Sequence, residues 1–194
     1  MAGFAERHGP PSVTASERTV LLAAPDGAEA RIEVPFPPLA VDEAKAYGGL
    51  VDHVLAERTV GVFLLRLGGF AVGVFAGPRL VKSKVGSRPV HGRAAAGGWS
   101  QKRFARRRAN QAHAAAEAAI AEAARILASD AVELDAVVLG GDRRALRRAL
   151  DDERLAVLRP LCAPHVLDVS DPNRSVLESA HDLMRLVRIE LLEG

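Results

Sequence analysis

The chain has 194 residues, of which 48% are hydrophobic and 26% charged, and its formal net charge is +2. Those values fit one soluble globular domain with room for a real core. The single Cys162 excludes an intrachain disulfide and suits a reducing, cytoplasmic setting.

Residues 1–15 are rich in Gly, Pro and Ala and read as a flexible N-terminal arm. Met1 to Ser12 has no apolar core of signal-peptide length. Val20 to Ala24 and Ala30 to Val34 flank the turn signal Pro25-Asp26-Gly27, which predicts a hairpin. Pro35, Pro37 and Pro38 end that unit. Val41 to Glu57 carries apolar residues at mixed helical spacing, weakened by Gly48-Gly49. Val60 to Leu67, Phe70 to Phe75 and Leu80 to Val85 read as three consecutive strands. The longest apolar run, Thr59 to Gly77, contains Arg66 and Gly68-Gly69. It therefore suits two strands and a turn better than a membrane span.

Gly86 to Gly98 has no apolar period and reads as a long exposed loop, a kind of segment that often carries function. Ser100 or a neighbour caps an alanine-rich helix from about Gln101 to Ser129. Leu134 to Leu139 predicts a buried strand, and Gly140-Gly141-Asp142 turns into a helix over Arg143 to Leu150. Val166 to Val169 is a further short strand, and Asp171-Pro172 opens a last helix to about Leu192. Strands in a row followed by β–α units predict an α/β fold, a mixed sheet covered by helices, an order compatible with a ribonuclease-H-like layout. The expected organisation is the arm and then one domain over 16–194, with a hairpin and helix over 16–57 and a core over 58–192.

The charge is unevenly spread. Arg58 through Ala116 holds 12 of the 26 Lys and Arg residues and none of the 24 acids. Inside that stretch stands Gly97-Gly98-Trp99-Ser100-Gln101, followed at once by Lys102-Arg103-Phe104-Ala105-Arg106-Arg107-Arg108. Glycines permit positive φ and close backbone approach to a partner. Gln101 bears a neutral amide that donates and accepts hydrogen bonds but has no useful pKa. It can orient a water and cannot act as a general base. Backbone N–H groups beside it can stabilise an oxyanion, a combination that suits hydrolysis of an activated ester. The plain alternative is a connection in which Ser100 is only a cap.

Lys102, Arg103, Arg106, Arg107 and Arg108 wrap the first turns of the expected helix, where cations oppose the macrodipole. A polyanion relieves both that conflict and their mutual repulsion, so the pattern points to nucleic acid. A solvated helix face is the bland reading. Lys82, Lys84, Arg88 and Arg93 extend the same candidate patch, and His91 is a further RNA-contact candidate.

Other motifs say less. Val138 to Asp142 is a glycine turn with no phosphate-loop pattern after it. Cys162 and His165 are too sparse for a metal site. Asp135, Asp142, Asp168 and Asp171 lie near predicted strand ends, where acids of a metal-dependent nuclease would converge.

Gly-Gly-Trp-Ser-Gln followed by Arg-Phe-Ala-Arg-Arg-Arg resembles the actinobacterial VLRF-type peptidyl-tRNA hydrolases. These are relatives of the catalytic middle domain of eukaryotic and archaeal release factor one. The resemblance is dense over about fifteen residues, and the element order agrees over roughly 58–192. It implies a ribonuclease-H-like domain that acts, without cofactor or metal, on the peptidyl-tRNA ester of stalled large ribosomal subunits. Ribosomal RNA and peptidyl-tRNA are the implied partners, with no membrane involved. Gln101 matches the catalytic glutamine, and Gly97 and Gly98 the shaping glycines. Arg103, Arg106, Arg107 and Arg108 would face RNA. Release factors proper place glutamine directly after the glycines, whereas Trp99 and Ser100 intervene here. No room is expected for a stop-codon-reading domain. A non-catalytic ribosome-binding module and a nuclease cutting the tRNA 3′ end remain the alternatives.

Overall fold

The computed structural model describes residues 2–66, 69–87 and 113–192. In chain order it contains α1 (Ala2–His8), β1 (Ser12–Ala15), β2 (Thr19–Ala23), β3 (Glu29–Glu33) and α2 (Leu50–Leu55). There follow β4 (Thr59–Arg66), β5 (Gly69–Ala76), β6 (Arg79–Ser87) and α3, helical over 113–123 and ending in a π-helical turn, Ala124–Ala128. The rest is β7 (Ala136–Gly141), α4 (Arg143–Leu150), the 3-10 segment Glu153–Leu161, β8 (Cys162–Leu167), α5 (Arg174–Leu183) and β9 (Ile189–Leu192). The chain divides into two compact units, Met1–Ala56 with Met184–Gly194, and Glu57–Leu183.

The larger unit is built on a mixed five-stranded sheet in the order β6-β5-β4-β7-β8. β5 runs antiparallel to both β4 and β6, and β7 runs parallel to β4 and β8. β4 and β5 are buried along six consecutive residues each, because helices cover both faces. On one face Phe63, Leu65, Val72 and Val137 share a core with Ala123 and Leu127 of α3 and with Leu146 of α4. Each buried Leu, Val or Phe there contributes roughly 1.5–3 kcal/mol. The other face carries α5. A Cβ at Gly73 would come within 3.1 Å of Leu177, and the Phe75 and His181 rings lie 5.8 Å apart. All strands except β5 point the same way, so Arg66, Ser87, Gly141 and Leu167 end on one edge of the sheet. This is the mixed sheet covered by helices that the element order predicts.

The smaller unit has an antiparallel sheet in the order β1-β2-β3-β9. The expected hairpin is present, with Val20 opposite Ile32 and both fully buried. Three expectations fail here. Residues 1–15 are not a loose arm: α1 buries Phe4 in the core of this unit, His8 Nδ1 sits 2.8 Å from Asp26, and β1 pairs with β2. The helix over 41–57 shrinks to α2, because Tyr47, Gly48 and Gly49 all adopt positive φ. A Cβ on Gly48 would lie 2.4 Å from that of Ala15, so β1 and this turn demand glycine. The last helix stops at Leu183, and Ile189–Leu192 pairs with β3 as β9. Its apolar residues fit either structure, and the open edge of β3 decides for the strand. Residues 184–194 thus belong to the same compact unit as residues 1–56.

Candidate functional site

β6 is an edge strand, and two polar contacts hold it, one on each face. Lys82 donates to Asp130 at the end of α3, and Arg174 of α5 donates to Ser83 Oγ at 2.6 Å. The Lys82 ammonium holds the Asp130 carboxyl below its usual pKa, against the opposing effect of desolvation. Past these contacts the strand ends at Ser87, and Phe70 of β5 lies over Gly86, where a Cβ would meet the ring at 2.3 Å.

A cleft of about 300 Å³ opens at this point between β6 and α3. Phe70, Lys84, Gly86 and Ser87 line one wall, and Ala115, Ala118, Ala121 and Glu122 the other. The alanines keep the helix wall low, and Lys84 and Glu122 place opposite charges on the two sides. The residues on either side of the 88–112 segment thus meet at one cleft. The Glu122 carboxylate is bonded to Arg125 at 2.7 Å, and no described carboxylate pairs with Lys84.

Of the predicted site residues, the structure brings Lys84 to the cleft and ties Lys82 to Asp130. Gly97, Gly98, Gln101, Lys102, Arg103, Arg106, Arg107, Arg108, Arg88 and Arg93 lie outside the described residues, as do His91, Trp99 and Ser100.

The glycine turn after β7 has a structural explanation. Gly141 has φ +102, and a Cβ there would sit 2.4 Å from the Leu65 carbonyl oxygen. Asp142 caps α4 by accepting from the N–H groups of Arg144 and Ala145 at 2.8 and 2.9 Å. Asp135 stands at the opposite end of β7, roughly 20 Å away along the strand. It accepts from the Thr59 N–H at 2.7 Å. Asp135 is thus remote from Asp142, and among the described residues no three His, Cys, Asp or Glu side chains could share a metal ion. Burial raises the Cys162 pKa, and its thiol donates to the Leu158 carbonyl at 3.3 Å. No described helix is long and apolar enough to cross a membrane.

Residues 58–190 match the model of the Actinobacteria/chloroflexi VLRF1 release factor family. A crystal structure of the archaeal translation termination factor aRF1 is similar at 16% identity and a TM-score of 0.46. It covers 84% of this chain and 51% of its own. A second structure, described only as an archaeal protein, is 18% identical with a TM-score of 0.35, covering 82% of this chain and 48% of its own. The chain thus spans about half the length of these solved structures. No curated protein matches it.

Proposed function

The chain belongs to the Actinobacteria/chloroflexi VLRF1 release factor family, and from that premise we propose that it is a ribosome-rescue peptidyl-tRNA hydrolase. One observation carries the reading. Gly97-Gly98-Trp99-Ser100-Gln101 and the basic run Lys102 to Arg108 lie inside the family-matched span. Two further facts support it. The residues flanking the segment that holds this motif line a single cleft. The strand order β6-β5-β4-β7-β8, with β5 alone reversed, is compatible with a ribonuclease-H-like core.

In this reading the segment enters the peptidyl transferase centre of a stalled large subunit. Arg103, Arg106, Arg107 and Arg108 neutralise ribosomal RNA phosphates, and Lys102 and Lys84 add charge nearby. Gln101 holds a water by its amide and takes no proton itself. The water oxygen bonds to the ester carbonyl carbon, and backbone N–H groups near Gly97 and Gly98 receive the oxyanion. The bond to the tRNA ribose oxygen then breaks, and that oxygen takes up the proton that the attacking water gives up. The products are free peptide and intact tRNA.

The test uses large ribosomal subunits carrying peptidyl-tRNA, with peptide and tRNA read separately. Wild type releases peptide and leaves the tRNA whole. Gln101→Ala loses at least ~100-fold in release rate while still binding, because positioning is what it removes. Undiminished release by that variant rejects the catalytic role. Shortened tRNA indicates a nuclease, and binding without any release indicates a docking module.

A further inference from the structure

α4 reads Arg-Arg-Ala-Leu-Arg-Arg-Ala-Leu, two copies of one four-residue unit. At about 100° per residue, Arg143, Arg144, Arg147 and Arg148 fill one half of the helix and the apolar residues the other. All four arginines are exposed, whereas Leu146 and Ala149 are 2% and 1% exposed in the core. The four have no ion-pair partner among the described residues. Elsewhere in the same unit Arg125, Arg154 and Arg174 are bonded to carboxylates at 2.6–2.9 Å. Of the acids flanking the helix, Asp142 caps its N-terminus and Asp152 binds Arg154, while Asp151 at the C-cap pairs with none of the four arginines.

This arrangement is unfavourable in isolation. Arg143 and Arg147, like Arg144 and Arg148, are like-charge neighbours at i,i+4, and Arg143 and Arg144 oppose the dipole at the helix N-terminus. A bound polyanion removes both penalties. We propose that the arginine face of α4 is an RNA-binding surface that grips the phosphodiester backbone, separate from the Gln101 segment.

Three features favour RNA. The two arginine pairs are about 6 Å apart along the helix axis, close to the step between successive phosphates, and guanidinium forks suit phosphate oxygens. The apolar half of α4 is spent on the core, so this helix has no free face to insert into a bilayer. α4 also starts at the sheet edge where β6 ends, three strand spacings away, on the order of 15 Å. One RNA surface can therefore meet both. The inference rests on the proposed ribosomal reading only for the source of that RNA.

The experiment measures binding to a short RNA duplex and to purified large ribosomal subunits over a range of salt. It compares wild type with the full chain carrying Arg143→Gln, Arg144→Gln, Arg147→Gln and Arg148→Gln. The slope of log K against log salt should fall by ~0.7–0.9 per lost contact, roughly 3 in all. Circular dichroism should show an unchanged fold. If the quadruple variant does not fold, the Arg143/Arg144 and Arg147/Arg148 pairs are replaced separately, and each should remove about half of the slope. An unchanged slope in a folded variant overturns the proposal. So does α4-dependent binding of poly-glutamate with RNA binding intact, which would assign the face to an acidic protein. Duplex binding needs no hydrolysis. Loss of the catalytic reading with an α4-dependent slope leaves this proposal standing, and peptide release with an α4-independent slope rejects it alone.

Discussion

Gly141 shows how one residue can be mistaken for a functional one. Beside Gly140 and Asp142 it has the look of a ligand turn, yet its role is to let β7 pass into α4 beneath the Leu65 carbonyl. Gly141→Ala would need a disfavoured φ as well as a shift of backbone at 2.4 Å. It should cost about 2 kcal/mol or more, read from the urea midpoint of unfolding. Lys82 and Lys84 make the same point for charge. Two residues apart on one strand, they share a strand face, but Lys82 is committed to Asp130 and Lys84 faces the cleft.

At the scale of elements, ion pairs tie the pieces around the cleft. Lys82–Asp130 joins β6 to the end of α3, and Arg154 joins Glu117 of α3 to Asp152 at the start of the 3-10 segment. Arg154 holds the Asp152 carboxyl at about 2, first through its side chain and then through its N–H, and Asp130 is also lowered. A carboxyl lowered on folding adds stability above its unfolded pKa. That stability drains as pH falls through the folded value. The urea midpoint should therefore drop as pH goes from 3.8 toward about 2, and Asp152→Asn should flatten the decline. The groups are exposed, so the effect is modest and weakens with salt.

At the scale of the whole molecule, the C-terminal residues complete the sheet of the smaller unit. β9 covers the edge of β3, with Ile189 opposite Ile32 and Leu191 opposite Ala30. Removing residues 189–194 should leave that edge open and speed amide exchange in β3. The exchange of β4 and β7, in the other sheet, should stay near wild type.

Local pattern alone determined much of the larger unit. The apolar runs of β4 and β5 and the strand–turn–helix from Ala136 to Leu150 are contiguous in sequence, and their periods carry the information. Residues 184–192 were not legible in this way. Met184, Val187 and Leu191 satisfy a helical spacing, yet the unpaired edge of β3, more than 150 residues earlier, draws Ile189–Leu192 into a strand. The same holds for Phe4, whose burial depends on a core assembled from later strands, and for Lys82, whose partner lies 48 residues away. Side-chain period tells which face of an element is apolar. Only the folded chain decides which open edge, pocket or carboxylate that element meets.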